Sequence, residues 1–305
     1  MKKATRNLLI VALILILVGG ILGRTGCALG GDTPIRMTKN GPVISSGKSG
    51  DLISVEDRWN TLTSLDIETD IIGLRLEEGE SFSLHGSYDP ALTQLEISES
   101  RGVLTIRSVD RREGWLNFDF FGSGQPMELV LTYPGKAKFK EVSIDSAVGS
   151  LKIADLTTES LTVSLDIGNF EGRNITADVF SADLNLGNCE IDGLNVTEKA
   201  RATLSTGRLA LDDSTVRNLS VRADLGSCSY AGTLKGAADF EMDTGALSLD
   251  LALSERDLSY AIESDTGRIT LNGETLGSPV RSDVASPTLK LDIDSDLGAV
   301  KIRTD

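Results

Sequence analysis

The sequence is poor in the residues on which most catalytic and metal sites depend. It contains one histidine, His85, three cysteines and only 5% aromatic residues. These numbers argue against histidine-dependent catalytic triads, zinc sites and disulfide scaffolds. No P-loop, dinucleotide fingerprint or metal-ligand spacing appears either. We therefore predict no catalytic residues, no cofactor, no metal and no enzymatic activity, and we interpret His85 as a surface or strand-edge residue.

Basic residues are also scarce. The chain has 45 acidic and 30 basic residues, which gives a net charge of −15. A surface of this charge repels nucleic acid and anionic lipid, so we predict that neither is a partner. Because 40% of the residues are hydrophobic but few are aromatic, the core must consist of Leu, Ile, Val and Ala.

Charge is absent from one long segment near the N-terminus. Leu8–Leu22 reads LLIVALILILVGGIL and follows the basic start MKKATR. The uncharged residues 7–23 would form about 25 Å of helix, close to the lower limit for a membrane span. We predict an uncleaved single-pass anchor in residues 1–24, with a cytoplasmic N-terminus and an extracytoplasmic body. The alternatives are a cleaved signal peptide and a lipoprotein acylated at Cys27, although Arg24 occupies a position that the lipoprotein signal reserves for an aliphatic residue.

Three further regions follow this segment. Residues 25–51 are rich in Gly, Ser and Thr without apolar periodicity, and we predict a flexible linker. Residues 52–135 contain irregular alternation of apolar and polar residues, which indicates a β-rich N-terminal part of the same body. Residues 136–305 form a regular repeat.

Glycine marks each unit of this repeat. Successive glycines are separated by 19, 19, 20, 19, 19, 22 and 31 residues. They are Gly149, Gly168, Gly187, Gly207, Gly226, Gly245, Gly267 and Gly298. Positions seven and five before the glycine, and two and four after it, are apolar in every unit except at Gly172. The positions between them are mostly polar, which is typical of strands with one inward face.

Each unit therefore holds two short strands joined at a glycine corner, and neighbouring units must stack to bury a common core. Both a parallel β-solenoid and a meander of hairpins are compatible with this alternation of apolar and polar positions. The constant interval favours an all-β, β-helix-like solenoid with coils of about 19 residues, in which Val163, Ala182, Ala202 and Val221 are direct neighbours. The longer intervals, around Ser254–Leu258 and Asn272–Thr288, are expected to be loops.

The corner has its own chemistry. Two residues before most of the glycines is a short polar residue, such as Asp166, Asn185 or Asp224. These side chains can accept a backbone hydrogen bond in an Asx turn, while the glycine supplies a positive φ. A column of such acids could instead bind calcium, but the nonapeptide spacing of calcium-binding β-rolls is absent. We favour the turn.

One segment stands out as a candidate binding surface. Trp115, Phe118, Phe120 and Phe121 place four aromatic residues within seven positions. Aromatic rings stack on sugars and anchor protein interfaces, but the same residues are also compatible with a strand packed on the first coil.

The cysteines of the repeat occupy inward positions. Cys189 and Cys228 lie two coils apart with Leu209 between them, about 10 Å, which exceeds the reach of a disulfide. We predict two buried free thiols.

Residues 127–153, MELVLTYPGKAKFKEVSIDSAVGSLKI, carry a resemblance to a known family. A strand that ends in Tyr133-Pro134 is followed by the phrase Val148-Gly149-Ser150-Leu151-Lys152-Ile153, which recurs in residues 265–271 and 297–302. This pattern resembles the bacterial β-strand-repeat proteins of unknown function labelled "putative adhesins". The resemblance covers residues 60–305 and implies a solenoid-like body, an envelope-associated role and no catalytic residues.

Three functions are compatible with these features. We favour a membrane-anchored, adhesin-like interaction module of the bacterial cell envelope, with an envelope protein or glycan as its partner. An envelope-stress sensor that signals through a membrane partner is the second hypothesis. A polysaccharide-active β-helix enzyme with paired carboxylates is the third.

Overall fold

The computed structural model of the protein describes residues 35–38, 41–44, 52–90, 93–110 and 127–305. Strands make up almost all of the regular structure in these ranges, and one 3₁₀ turn, Glu255–Asp257, is their only helical element. None of the described residues forms a helix long and apolar enough to cross a membrane. Leu8–Leu22, where a membrane anchor is expected, lies outside the described residues.

Two compact units account for the described residues. In the first, which includes residues 1–50, β1 (Ile35–Thr38) pairs antiparallel with β2 (Gly41–Ile44). The second unit comprises residues 51–111 and 126–305 and contains the repeat. Its strands are β3 (Ile53–Trp59), β4 (Ser64–Thr69), β5 (Gly73–Gly79), β6 (Phe82–Tyr88), β7 (Thr93–Ser100), β8 (Val103–Asp110), β9 (Glu128–Pro134), β10 (Phe139–Ala154), β11 (Thr157–Leu251), β12 (Leu258–Leu271), β13 (Glu274–Leu276), β14 (Val280–Ser282) and β15 (Leu289–Thr304).

Parallel pairing of like positions builds this second unit. Strand β10 pairs with the start of β11 in the register of the repeat, with Ile144 opposite Val163 and Gly149 opposite Gly168. Strand β11 continues through the coils of Gly168, Gly187, Gly207, Gly226 and Gly245. The structure is all-β and solenoid-like, as the constant interval predicts, because a parallel ladder repeats only if each coil uses the same number of residues.

Seven positions in a regular coil point inward. In the Gly187 coil they are Phe180, Ala182, Leu184, Cys189, Ile191, Leu194 and Val196, all of which are at most 2% exposed. The inward residues have even numbers up to Leu184 and odd numbers from Cys189, so the chain changes direction around the glycine. It changes again after Ile191, where Gly193 has a φ of +76°. Residues six after other glycines, Asp155, Asn174 and Asp213, also have a left-handed φ between +46° and +59°.

Side-chain volumes within a coil compensate each other. Phe170 and Gly172 fill the two inward positions that Cys228 and Tyr230 fill three coils later. A Cβ on Gly172 would lie 2.9 Å from Ile175 Cδ1 and 2.9 Å from Ile191 Cγ2. The one exception to the apolar pattern is therefore a glycine because its neighbours already fill the space, as the close packing of protein interiors requires.

The order of the last two coils differs from the order of the sequence. Strand β15, which carries Gly298, pairs with the Gly245 coil on one side and with β12, which carries Gly267, on the other. The final strand is thus inserted between two coils that precede it in the chain. The expectation that successive units stack is correct up to Gly245 and wrong beyond it.

A similar inversion occurs at the other end. Strands β4 and β5 lie beside β10, and β8 and β9 lie beside β4 and β5, all in parallel. The coil of β8 and β9 therefore comes last in space although β10 follows it in sequence. Strands β4, β5, β8 and β9 of the irregular region thus continue the parallel stack.

Antiparallel strands cover both ends of the stack. Strands β7 and β6 pair antiparallel with β8 and β9, and β3 pairs with β6. At the opposite end, β13 and β14 pair antiparallel with β12. Residues Asn272–Thr288, which were expected to form a loop, contain these two strands. They are needed there because an uncovered edge strand exposes unpaired backbone groups.

Candidate interaction surface

The aromatic residues predicted as a binding surface, Trp115, Phe118, Phe120 and Phe121, lie outside the described residues. His85 is exposed on β6, where it lies opposite Glu56 of β3 and Val130 of β9. Cys189 and Cys228 are buried free thiols, as predicted. Burial raises the pKa of both thiols, that of Cys228 to about 12, so the thiols stay protonated and unreactive at neutral pH.

The eight glycines form one column along the stack. In spatial order the column runs Gly149, Gly168, Gly187, Gly207, Gly226, Gly245, Gly298 and Gly267. A Cβ on any member from Gly168 onward would lie 1.6–1.8 Å from the carbonyl oxygen of its neighbour. Glycine is therefore required mainly because the backbones of adjacent coils approach too closely for any side chain.

Polar side chains beside this column connect adjacent coils. Asn185 Nδ2 donates to Asp166 Oδ1 at 2.7 Å, and the Asn188 backbone N–H donates to Asn169 Oδ1 at 3.2 Å. At the other turn of the coil, six residues after the glycines, Asn174 Nδ2 donates to Asp155 Oδ1 at 2.8 Å. These ladders show that the short polar residues bond from coil to coil. No group of three or more His, Cys, Asp or Glu side chains arranged to hold a metal ion occurs in the described ranges.

The position immediately before the glycine is exposed yet aliphatic in five of the eight units. We name Val148, Ile167, Leu186, Leu225 and Leu297 the aliphatic column. Their exposed fractions lie between 46% and 51%. The remaining coils carry Thr206, Thr244 and Thr266 at this position, so no charged residue interrupts the column. An exposed apolar row of this length is a candidate interaction surface.

One side of this column is strongly acidic in the last three coils. We name this side the acidic face. It comprises Asp239, Glu241, Asp243, Asp292, Asp294, Asp296, Glu263 and Asp265. The ladder pairs Asp239 with Asp292, and Asp294 with both Glu241 and Glu263. Parallel neighbours are about 4.8 Å apart, so like charges are stacked there at an electrostatic cost.

Few bases offset these acids. Arg222 forms ion pairs with Glu241 and, at 3.6 Å, with Asp224. Lys290 lies two residues before Asp292, on the same face of β15. Arg281 of β14 lies opposite Ala261 of β12. Within the described ranges, no ion pair engages Asp292, Asp294 or Asp296.

Asp239 lines a cleft of about 560 Å³ at the border of the acidic face. Asp292, Asp283, Arg281 and Tyr260 also line it. Burial raises the pKa of Asp239, and the nearby Asp292, Glu241 and Asp294 raise it further. Arg281 and Lys290 line the same cleft as Asp239, Asp283 and Asp292, so the acids there are partly offset by bases.

A second cleft, of about 510 Å³, lies on a different part of the stack. Its basic lining residues are already neutralised. Arg75 pairs with Glu128 at 2.8 Å, Lys152 with Glu171 at 2.7 Å and Arg173 with Asp155 at 3.5 Å. Glu77 and Asp192 also line this cleft, but acids are far denser on the acidic face, which makes that face and the aliphatic column the more distinctive surfaces.

The sequence contained the signal for the aliphatic column. The residue before each glycine is Val, Ile, Leu or Thr in all eight units. Periodicity alone does not identify this position as exposed, because a β-branched or Leu residue beside a corner glycine is equally compatible with a place in the core. Only the folded structure shows that this position faces solvent.

Coils stacked in parallel around one interior define an all-β, solenoid-like protein with an open sheet. The chain belongs to the Toastrack DUF4097 family, whose model matches residues 62–303. The resemblance to the adhesin-like repeat proteins of unknown function is thereby confirmed.

Several solved structures are similar at low identity. A "putative adhesin" from Bacteroides fragilis is 15% identical with a TM-score of 0.42, and the similarity covers 83% of this chain and 97% of that one. A "putative adhesin" from Parabacteroides distasonis is 12% identical with a TM-score of 0.39, covering 84% and 98%. A "putative cell adhesion protein" from Clostridium sporogenes is 11% identical with a TM-score of 0.32, covering 84% and 100%. No curated protein matches this chain significantly.

Proposed function

We propose that this chain is a non-enzymatic, adhesin-like interaction module that a single N-terminal span tethers to the outside of a bacterial cell membrane. The observation that carries the proposal is the aliphatic column. Five large aliphatic side chains, each about half exposed, occupy equivalent positions in the parallel stack. Soluble surfaces rarely keep aligned apolar residues in water without a binding role.

The sequence supports the tether. Leu8–Leu22 is uncharged and follows a basic start, which is the arrangement of a signal anchor that leaves its N-terminus in the cytoplasm.

The location is tested by protease treatment of intact cells that express the full chain with a C-terminal tag. We expect the tag to be removed from intact cells while the chain sediments with the membranes. Leu13→Arg combined with Leu17→Arg places two charges in the apolar segment and should abolish membrane association. A tag that resists protease until the cells are broken would contradict the proposed orientation.

The interaction role is tested by crosslinking on the same cells. We expect a specific envelope protein or glycan to be recovered with the chain. Replacement of the N-terminal span by an unrelated one separates this role from envelope-stress sensing, because an interaction module needs only a tether. Loss of function on that exchange would favour the sensor.

Enzymatic activity has its own test. The chain should not degrade envelope polysaccharides. Turnover that disappears in Asp239→Asn, which alters the acid beside Asp292, would overturn the non-enzymatic assignment.

A further inference from the structure

We propose that the aliphatic column is the docking surface for an amphipathic helix of a partner protein that carries a row of Lys and Arg beside its apolar face. This inference rests on the proposed function and specifies its partner.

The surface along the column is uncharged throughout. The column has an aliphatic side chain in the Gly149, Gly168 and Gly187 coils and in the Gly226 and Gly298 coils. The two intervening positions hold Thr206 and Thr244, which are uncharged and add a methyl group each. Because β15 is inserted beside the Gly245 coil, Leu297 extends the row, and Thr266 ends it.

The spacing of the column fits a helix. Adjacent coils are about 4.8 Å apart, so the six steps from Val148 to Leu297 span about 29 Å. A helix of about 20 residues has this length, and its turns repeat every 5.4 Å or so. An extended segment presents side chains on one face only every 6.6–6.8 Å, roughly. The helix therefore matches the column more closely.

Charge determines the orientation of the helix. On the side two residues before the glycines are Asp166, Asp224, Asp243, Asp296 and Asp265. On the opposite side, one residue after the glycines, the positions are Ser150, Asn169, Asn188, Arg208, Ser227, Ala246, Ala299 and Arg268. Ala147, Asn185 and Ser205 are the uncharged residues of the first side, and Glu171 and Glu190 lie farther out on the second side. Most of the negative charge is thus on one side, and it is densest in the last three coils. A helix with its bases on that side gains complementary contacts, whereas an acidic helix is repelled.

The same charges disfavour a second copy of this chain as the occupant. Each copy has a net charge of −15, so bringing two acidic faces together is unfavourable. A basic partner is attracted over a longer distance, and its association rate should fall as salt is added.

The test uses the purified full-length chain and fluorescent 20-residue model peptides. One peptide is an amphipathic Leu/Lys helix, the second replaces each Lys by Glu, and the third has the Leu/Lys composition in an order without an apolar face. Fluorescence anisotropy measures binding at low and moderate salt. We expect the amphipathic Leu/Lys peptide to bind at least about tenfold more tightly than either control, about 1.4 kcal/mol.

Variants of the column locate the site. Ile167→Thr combined with Leu186→Thr should weaken binding about tenfold, and threonine is tolerated because it occurs naturally at equivalent positions. Asp224→Asn combined with Asp243→Asn should weaken binding and reduce its salt dependence. Val179→Thr, at an exposed aliphatic residue outside the column, is the matched control and should leave affinity unchanged. Melting curves establish that each variant is folded.

Equal binding by the double-threonine variant and by the unaltered chain would overturn the proposal. Sedimentation that reveals a dimer dependent on Ile167 and Leu186, without peptide binding, would assign the column to a second copy and would also overturn it. Either result leaves the proposed envelope function standing if crosslinking on cells still recovers a partner. Absence of any partner together with a cytoplasmic location would instead refute the proposed function itself.

Discussion

Gly298 lies directly beside Gly245, and the carbonyl oxygen of Gly245 is 1.6 Å from the point where a Cβ of Gly298 would be. Gly267, which lies between them in sequence, is on the far side of Gly298. One contact thus shows both why the column admits only glycine and how the end of the chain is inserted into the stack.

Substitution within the glycine column should be severely destabilising. In Gly187→Ala the new Cβ would lie 1.6 Å from the Gly168 carbonyl oxygen, so adjacent coils must separate. We expect a loss of about 4 kcal/mol or more in the free energy of unfolding, measured by denaturant titration. Gly277→Ala is the control, because nothing lies within 4 Å of its Cβ position. Equal stability of the two variants would refute the close approach of the coils.

The inverted order of the last coils can be tested by crosslinking. Ala246 and Ala299 are exposed and directly paired. Their Cα atoms should be about 4.8 Å apart, within the range for a disulfide. Cysteines at these two positions should crosslink on oxidation. Cysteines at positions 246 and 268 should not, because β15 separates these coils; the opposite result would restore the sequential order.

Asn218 should stabilise the stack through both its φ and its side chain. Its φ is +55°, its Nδ2 donates to the Glu198 carbonyl at 2.8 Å, and its Oδ1 accepts from the Ala237 N–H at 3.2 Å. Asn218→Ala loses both contributions and should cost about 2 kcal/mol in unfolding free energy. Asn218→Gly still adopts the left-handed φ easily and loses only the side-chain hydrogen bonds. It should therefore cost about half as much unfolding free energy. An alanine variant as stable as the glycine variant would exclude a role for the left-handed φ.

Asp239 should make the stability of the chain depend on pH. Because its pKa is raised in the folded protein, ionisation opposes folding, and the penalty appears as pH rises through the ordinary aspartate pKa of about 3.9 and above. Asp239→Asn should therefore be more stable at pH 7 by about 0.5 kcal/mol, a small value since the carboxylate remains largely solvated.

The gain in Asp239→Asn should vanish near pH 3, where the aspartate is protonated in both states. Glu159→Gln, an exposed carboxylate outside the acidic face, should show no gain at either pH. A gain of equal size at both pH values would show that repulsion among the carboxylates is not the cause.

The two inward thiols should be inaccessible in the native protein. In a Cys27→Ser background, Cys189 and Cys228 are the remaining cysteines. We expect no reaction with a thiol reagent at pH 8 until denaturant is added, since both are buried with raised pKa values. Ala246→Cys provides an exposed thiol that should react at once. Rapid labelling of the inward thiols would indicate that the coils open readily.

The sequence by itself determined the repeat. A constant interval between glycines, with apolar residues at four fixed offsets, is enough to predict parallel coils with one core, since only equal coils keep a parallel ladder in register. The burial of Cys189 and Cys228 followed from the same frame. The close approach of the glycine backbones did not follow from it. A corner residue with a positive φ is also expected to be glycine, so the sequence does not distinguish these two causes.

Tertiary structure alone decided the order of the last coils, the strands that cover both ends and the exposure of the aliphatic column. Every coil presents the same inward pattern, so the pattern does not specify which coil stacks on which. Only the pairing of β15 between two earlier coils resolves this ambiguity. Similarly, Ile167 and Val163 are both aliphatic, and their opposite burial depends on where the chain turns in space.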